Sequence, residues 1–311
     1  FFFFIRNGVC LSGMNIRIVV SIVLTCSLLL AGLVAAAPPV PAASQQSVAV
    51  PQTVVKPAAA VKPVLTPPVI SSETAVLMVA GKKQVLYEKA AHKIMYPAST
   101  TKIMTLITAL KRGNLNDTVV VGPGPVEVDG SSLDLRLLDR LSLRELLFGL
   151  MLVSGNDAAE AVAEHVGGVS QKKFIGWMNE ETEKIGAVKT HFSNPHGLPD
   201  PVNHFTTAYD LALIADAGFQ TPGFETFVSQ PYHTVQFQNR SGMSVVNTNK
   251  LLMTYPGANG VKTGVTNAAG QCLVASARRG DVLLIAVVLN DSKRFQDSAA
   301  LLDYGFRLLA K

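Results

Sequence analysis

Tyr96-Pro97-Ala98-Ser99-Thr100-Thr101-Lys102 is followed by Ile103, Met104, Leu106, Ile107 and Leu110. Those apolar residues recur at helical spacing. Ser99 therefore falls at or near the start of a helix whose apolar face is buried, and Ser99 and Lys102, three apart, share one face. A serine hydroxyl is a weak nucleophile until a nearby base takes its proton. Lysine serves as that base when desolvation or another cation lowers its pKa. A buried helix start supplies both the geometry and the desolvation. The positive end of the helix dipole also favours an anion forming at Ser99.

Spacing alone does not make a site. Ser170-Gln171-Lys172-Lys173 repeats the same pattern. There Ser170 reads as a helix N-cap and Lys173 as a solvated charge. The rest of the chain decides between the two copies.

Moving outward toward the N-terminus, the chain changes class. Phe1 to Gly13 reads as over-extended translation ahead of a start at Met14. From Met14 the pattern is that of a secretory signal over 14–36: Arg17 gives the positive region, Ile18 to Leu33 the apolar run, and Val34-Ala35-Ala36 the small residues for cleavage. The apolar run is also long enough for an uncleaved membrane anchor. Residues 37–70 are rich in Pro, Ala and Val and read as a semi-rigid tether. Either way the sequence predicts an exported catalytic domain over 71–311.

Composition limits the function classes. The 311 residues are 48% hydrophobic and 16% charged, which suits one large globular domain or two small ones. The net charge of +5 is scattered, without the Lys/Arg runs that track nucleic acid, so no nucleic-acid partner is expected. Outside the cytoplasm a basic protein is drawn to anionic surfaces. Cys10, Cys26 and Cys272 show neither metal spacing nor a disulfide framework, and no His/Cys/Asp/Glu cluster has ligand spacing. No metal and no cofactor are expected, and Cys272 reads as a buried core thiol.

Toward the C-terminus the elements alternate in a legible way. Ala75 to Ala80, Gly81-Lys82-Lys83 and Gln84 to Tyr87 read as a β-hairpin. Ser142-Leu143-Arg144-Glu145 reads as a capping box opening a helix that ends in Ser154-Gly155-Asn156. Asp157 starts another helix, stopped at Gly167-Gly168. Ser170 to Ile185 and Thr207 to Ala217 read as two more. Leu273 to Ala277 and Val282 to Leu289 form a second hairpin of continuous apolar strands, and Ser292 to Leu309 a final amphipathic helix. Strands at both ends with helices between predict an α/β (α+β) fold: one antiparallel sheet built from both termini, flanked by helices, with a mostly helical insert. A cleft is expected where insert and sheet meet.

Two further motifs can reach that cleft. In Tyr255-Pro256-Gly257-Ala258-Asn259-Gly260-Val261-Lys262-Thr263-Gly264, Lys262 offers a cation, Thr263 a hydroxyl and Gly264 close backbone approach. Alone, this triplet reads as a turn into an edge strand, and Ser154-Gly155-Asn156 as a helix end joined to the next N-cap. Ser-x-x-Lys, then Ser-x-Asn, then Lys-Thr-Gly in one chain is the combination used by serine β-lactamases and penicillin-binding proteins.

On these motifs residues 71–311 resemble the low-molecular-mass penicillin-binding proteins, the D-alanyl-D-alanine carboxypeptidases. Tyr96 to Thr105, Ser154-Gly155-Asn156-Asp157-Ala158, His196-Gly197-Leu198, Gly260 to Gly264 and Asp303-Tyr304-Gly305-Phe306-Arg307 all look like that family. The resemblance implies a β-lactamase/DD-peptidase-like fold and a serine enzyme acting on peptidoglycan stem peptides that end in D-Ala-D-Ala, with β-lactams as inhibitors. It implies Ser99 as the acylated nucleophile and Lys102 as its general base. It implies Ser154 as a proton relay near Lys262, and Asn156 on the substrate amide. Lys262, Thr263 and Gly264 would lie at the terminal carboxylate, with Arg294 matching a family arginine near it. The oxyanion hole would be the backbone N–H groups of Ser99 and Val265. On this resemblance the protein works in the periplasm or on the outer face of the cytoplasmic membrane, and any membrane contact falls to residues 14–37.

Three other readings share part of this pattern. A class A-like β-lactamase needs a glutamate in a Glu-x-x-Leu-Asn segment; here Asn179-Glu180-Glu181-Thr182-Glu183 lies on a polar helix face, and Gly155 replaces the usual Asp. A D,D-endopeptidase would use the same site. A non-catalytic wall-binding module would carry a degenerate site, whereas all three motifs are intact.

Overall fold

The computed structural model describes residues 65–168 and 171–310. The chain divides into two units, Phe1–Ala60 and Val61–Lys311, and every described residue belongs to the second. The signal segment, most of the tether and Ser170 of the repeated motif lie outside the described residues.

The first hairpin forms as β1 (Thr74–Val79) and β2 (Gln84–Lys89), and a 3-10 turn over Ala98–Thr101 leads into α1 (Lys102–Arg112). The insert then runs through β3 (Thr118–Val120), α2 (Pro123–Glu127), β4 (Arg140–Ser142), α3 (Leu143–Leu152), α4 (Asn156–Gly167), α5 (Gln171–Ile185), α6 (Ala208–Phe219) and α7 (Phe224–Val228). It closes with β5 (Tyr232–Val235), β6 (Met243–Val246) and α8 (Leu251–Thr254). The C-terminal part is β7 (Ala258–Thr266), β8 (Gly270–Arg279), β9 (Val282–Leu289) and α9 (Arg294–Leu309).

The main sheet has the order β2-β1-β9-β8-β7, and every pairing in it is antiparallel. The two termini thus meet at β1–β9, as the apolar runs at the two ends of the sequence require. Both central strands are buried on both faces, which explains why they lack polar alternation. Val76, Met78, Ile285 and Val287 face the helical insert. Ala75, Leu77, Leu284 and Ala286 face α9, packing with Leu301, Leu302 and Phe306. Leu65 and Ile70 already pack against this second layer, so the fold's first contacts precede Ser71.

Differences from the expected elements are local. Ser142 caps α3 by accepting from the Glu145 N–H at 3.3 Å. The other half of the expected box is absent, because the Glu145 carboxylate instead receives His233 Nε2 and the Gln236 N–H, both at 2.9 Å. Glu181 is not on a polar face: it is 8% exposed and paired with Lys111 at 2.8 Å. Lys173 lies over the Trp177 ring at 4.9 Å. The pairs β3–β4 and β5–β6 are strands of three and four residues, too short for a periodic signal.

Candidate active site

The site is assembled where α1, the loop before α4, and the edge strand β7 converge. Pro97 (φ −76°) leads into the 3-10 turn, and Ala98 takes φ +48°. This left-handed residue turns the chain so that Ser99 stands half-buried at the head of α1. Lys102, one turn on, is fully buried. Its Nζ lies 3.2 Å from Ser99 Oγ, 2.7 Å from Asn156 Oδ1 and 2.8 Å from the His196 carbonyl oxygen.

Burial pushes the Lys102 ammonium well below the ordinary lysine value, and the Lys262 charge pushes in the same direction. A neutral amine has two N–H donors and one lone pair. Asn156 Oδ1 and the His196 carbonyl can only accept, so in the neutral form they would take the two hydrogens and leave the lone pair toward the Ser99 hydroxyl. That is the geometry a general base needs.

Ser154 has φ +64°, a conformation a serine rarely adopts. It is 5% exposed, and its Oγ has no hydrogen-bond partner among the described residues. Asn156 is fixed at both ends of its amide: Nδ2 donates to the Asp129 carbonyl at 2.6 Å, and Oδ1 receives Lys102. Lys262 is buried on β7, and burial, then the Arg294 charge, lowers its pKa to about 7. Thr263 Oγ1 pairs with Thr248 Oγ1 at 2.6 Å.

Gly264 marks the close approach of β7 to the nucleophile: a Cβ there would stand 3.0 Å from Ser99 N and 3.2 Å from the Pro97 oxygen. Val265, the next residue, is exposed. Arg294 begins α9 behind this strand. Its Nη1 donates to the carbonyls of Gly264 at 3.0 Å and Cys272 at 3.3 Å, tying the paired residues of β7 and β8. Arg294 is thereby held against the backbone of β7, beside Gly264 of the Lys-Thr-Gly segment. Ser99, Lys102 and Asn156 are brought into direct contact, while Lys262 acts on Lys102 through charge.

Sequence reading missed the acids that organise this site. Asp157 receives the Leu133 and Leu135 N–H groups and Ser132 Oγ, which folds the 131–135 loop beside Asn156. Glu160, 8% exposed, holds His196 Nε2 at 2.8 Å and receives Gln171 Nε2. His196 Nδ1 accepts the Leu198 N–H, so the ring is the Nε2–H tautomer, and burial keeps it neutral. Both acids share α4 with Asn156, one and four residues on. That helical register is the only signal the sequence offered for them.

Among the described residues no group of three or more His, Cys, Asp or Glu side chains could hold a metal ion, and no helix is long and apolar enough to cross a membrane. Cys272 is a free, buried thiol, pushed up to about 11 by burial.

A five-stranded antiparallel sheet with a packed core on each face, a half-buried serine against a buried lysine and a Lys-Thr-Gly edge strand define the architecture of the penicillin-binding class of serine peptidases. The comparisons agree: the D-alanyl-D-alanine carboxypeptidase family matches residues 61–293, and this chain belongs to it. It is 34% identical over 243 residues to the D-alanyl-D-alanine carboxypeptidase DacF of Bacillus subtilis, covering 76% of this chain and 62% of that protein. To a D-alanyl-D-alanine carboxypeptidase of a Streptomyces species it is 35% identical, covering 78% of this chain and 90% of the other. The crystal structure of a Streptomyces DD-transpeptidase superposes with a TM-score of 0.74 at 34% identity, covering 78% of this chain and 99% of that one.

Proposed function

We propose that this chain removes the terminal D-alanine from peptidoglycan stem peptides through an acyl-enzyme on Ser99. The observation that carries the reading is the buried Lys102 Nζ, 3.2 Å from Ser99 Oγ and otherwise held by two acceptors, Asn156 Oδ1 and the His196 carbonyl. Ser99 Oγ attacks the carbonyl carbon of the penultimate residue while its proton passes to Lys102. The oxyanion forms against the backbone N–H groups of Ser99 and Val265. The amide C–N bond then breaks, and the departing amine takes a proton through Ser154, whose unpartnered hydroxyl suits a relay. Water cleaves the ester and restores Ser99.

The substrate is held along β7. Asn156 binds a peptide amide, and Lys262 and Thr263 bind the terminal carboxylate beside Gly264. Arg294 adds positive potential from behind the strand. A penicillin carries a carboxylate and an acylating carbonyl, so it acylates Ser99 as well. Its ester should persist, because the acids whose charges act on Lys102 are already engaged: Asp157 by the 131–135 loop and Glu160 by His196 and Gln171. Neither is free to activate a water in the way a class A β-lactamase requires.

Such a substrate lies outside the cytoplasm, so export through residues 14–36, with 37–70 as a tether, belongs to the same proposal. The reading is tested by mixing the protein with a D-Ala-D-Ala pentapeptide and, separately, with a penicillin. Release of D-alanine together with a long-lived penicilloyl adduct on Ser99 supports it. Rapid penicillin turnover without D-alanine release, or a label on another residue, overturns it.

A further inference from the structure

His204 is 1% exposed and lies beneath the nucleophile turn, outside the reacting groups. Its Nδ1 accepts the Ser193 N–H at 3.0 Å. A neutral imidazole whose Nδ1 accepts carries its hydrogen on Nε2. That nitrogen is 2.8 Å from Thr101 Oγ1, and Thr101 Oγ1 donates to the Ala98 carbonyl at 2.9 Å. The three bonds run in one direction: Ser193 N–H to His204, His204 Nε2–H to Thr101, Thr101 O–H to Ala98. Burial holds the ring neutral, with a pKa of about 3, the state this chain of donors needs.

The acceptor at its end matters. Ala98 C=O and Ser99 N–H belong to one planar trans peptide, so they point in opposite directions. Fixing the carbonyl fixes the direction of the Ser99 N–H. Ala98 is in a strained left-handed conformation at φ +48°, which surrounding contacts must hold. On the far side that peptide has little room, because a Cβ on Gly264 would stand 3.0 Å from Ser99 N.

We propose that His204 is a positioning residue: through Thr101 it orients the Ala98–Ser99 peptide and so aims the Ser99 N–H at the developing oxyanion. The proposal rests on the reading of that N–H as an oxyanion donor. With His204 donating to the Thr101 oxygen, the single Thr101 hydrogen is directed to Ala98, and the chain polarises each bond in turn.

The test uses a chromogenic or fluorescent penicillin and separates the pre-acylation dissociation constant from the acylation rate constant. Deleting an oxyanion donor outright costs about 10²–10³-fold, so misaiming one should cost less. Thr101→Val is expected to lower the acylation rate constant about 10-fold or more and His204→Phe about 3–10-fold, with the dissociation constant unchanged. His204→Gln, which keeps a donor, should recover to within about 3-fold, and Thr101→Val with His204→Phe should be no slower than Thr101→Val alone, because His204 acts through Thr101. The infrared carbonyl stretch of the penicilloyl ester should rise in the slow variants as its hydrogen bond weakens. If His204→Phe fails to fold, Thr101→Val carries the same test with the imidazole left in place. Wild-type rates and ester stretch in a folded Thr101→Val, or additive effects in the pair, overturn the role of His204 alone. A native protein that is never acylated overturns the reading of Ser99 beneath it.

Discussion

Two buried lysines with different duties set the chemistry at the scale of the residue. Lys102 must be neutral to take a proton, and Lys262 must be charged to hold a carboxylate. Lys262 titrates near 7 in the free protein, so the second-order rate of penicillin acylation should fall on the alkaline side as that charge is lost. Lys262→Arg, which stays protonated, should lack this alkaline limb even if its absolute rate is lower; a limb that persists in Lys262→Arg assigns the titration to another group. The same shift affects stability. Between about 7 and 10.5 the unfolded chain binds the proton and the folded chain does not, so the Lys262 burial cost is fully present at low pH and is relieved as pH rises. Lys262→Met should therefore melt a few degrees above the native protein at pH 7, with the gap narrowing at pH 10, as differential scanning calorimetry would read. Lys102→Ala should slow acylation by about 10²–10⁴-fold in a folded protein, while Lys173→Ala leaves the rate unchanged. Ser99 and Lys102 were legible because three residues on a helix is a local relation. Glu160 and His204 were not, since what defines them is burial against segments distant in sequence.

Among the elements, the site depends on a close approach between two turns that a side chain would block. Gly197 has φ +97°, and a Cβ there would lie 1.9 Å from the Ala98 carbonyl oxygen. The 194–198 turn can press against the nucleophile turn only with glycine at this place. Gly197→Ala combines an unfavourable left-handed conformation with a backbone clash and should destabilise the fold by about 2–4 kcal/mol, alongside a loss of acylation rate. A Gly197→Ala protein with native melting temperature and native acylation would show that the two turns are not coupled. The same turn is anchored by Thr105 Oγ1 on the Pro195 carbonyl at 2.5 Å and by Lys102 on His196. The hairpins and longer helices were legible from apolar runs and periodicity. Half of the expected box at Ser142 failed because Glu145 found stronger partners in His233 and Gln236, which no local rule connects to it. The hold of Arg294 on the Gly264 and Cys272 carbonyls was not legible, because only the β7–β8 pairing brings those two residues together.

At the scale of the whole molecule, the sheet joins the two ends of the catalytic unit, and the helical insert carries Ser154 and Asn156 to its edge. The fold class was legible because both termini are strand-like and the middle is helical. The short β3–β4 and β5–β6 pairs were not legible, because strands of three and four residues carry no periodic signal. All the proposed chemistry is supplied by side chains and backbone, so treatment with a chelator should leave acylation and D-alanine release unchanged, and a loss of rate would mean a metal takes part. In the proposed reaction Ser99, activated by Lys102, forms the acyl-enzyme on the way to D-alanine release. The most direct measurement is a time course of D-alanine release from a D-Ala-D-Ala pentapeptide, run with increasing penicillin, with peptide mapping of the adduct by mass spectrometry. Release should stop in proportion to penicilloylation of Ser99, reaching zero at one adduct per protein. Release that continues in fully acylated protein, or an adduct on any other residue, would contradict that reaction.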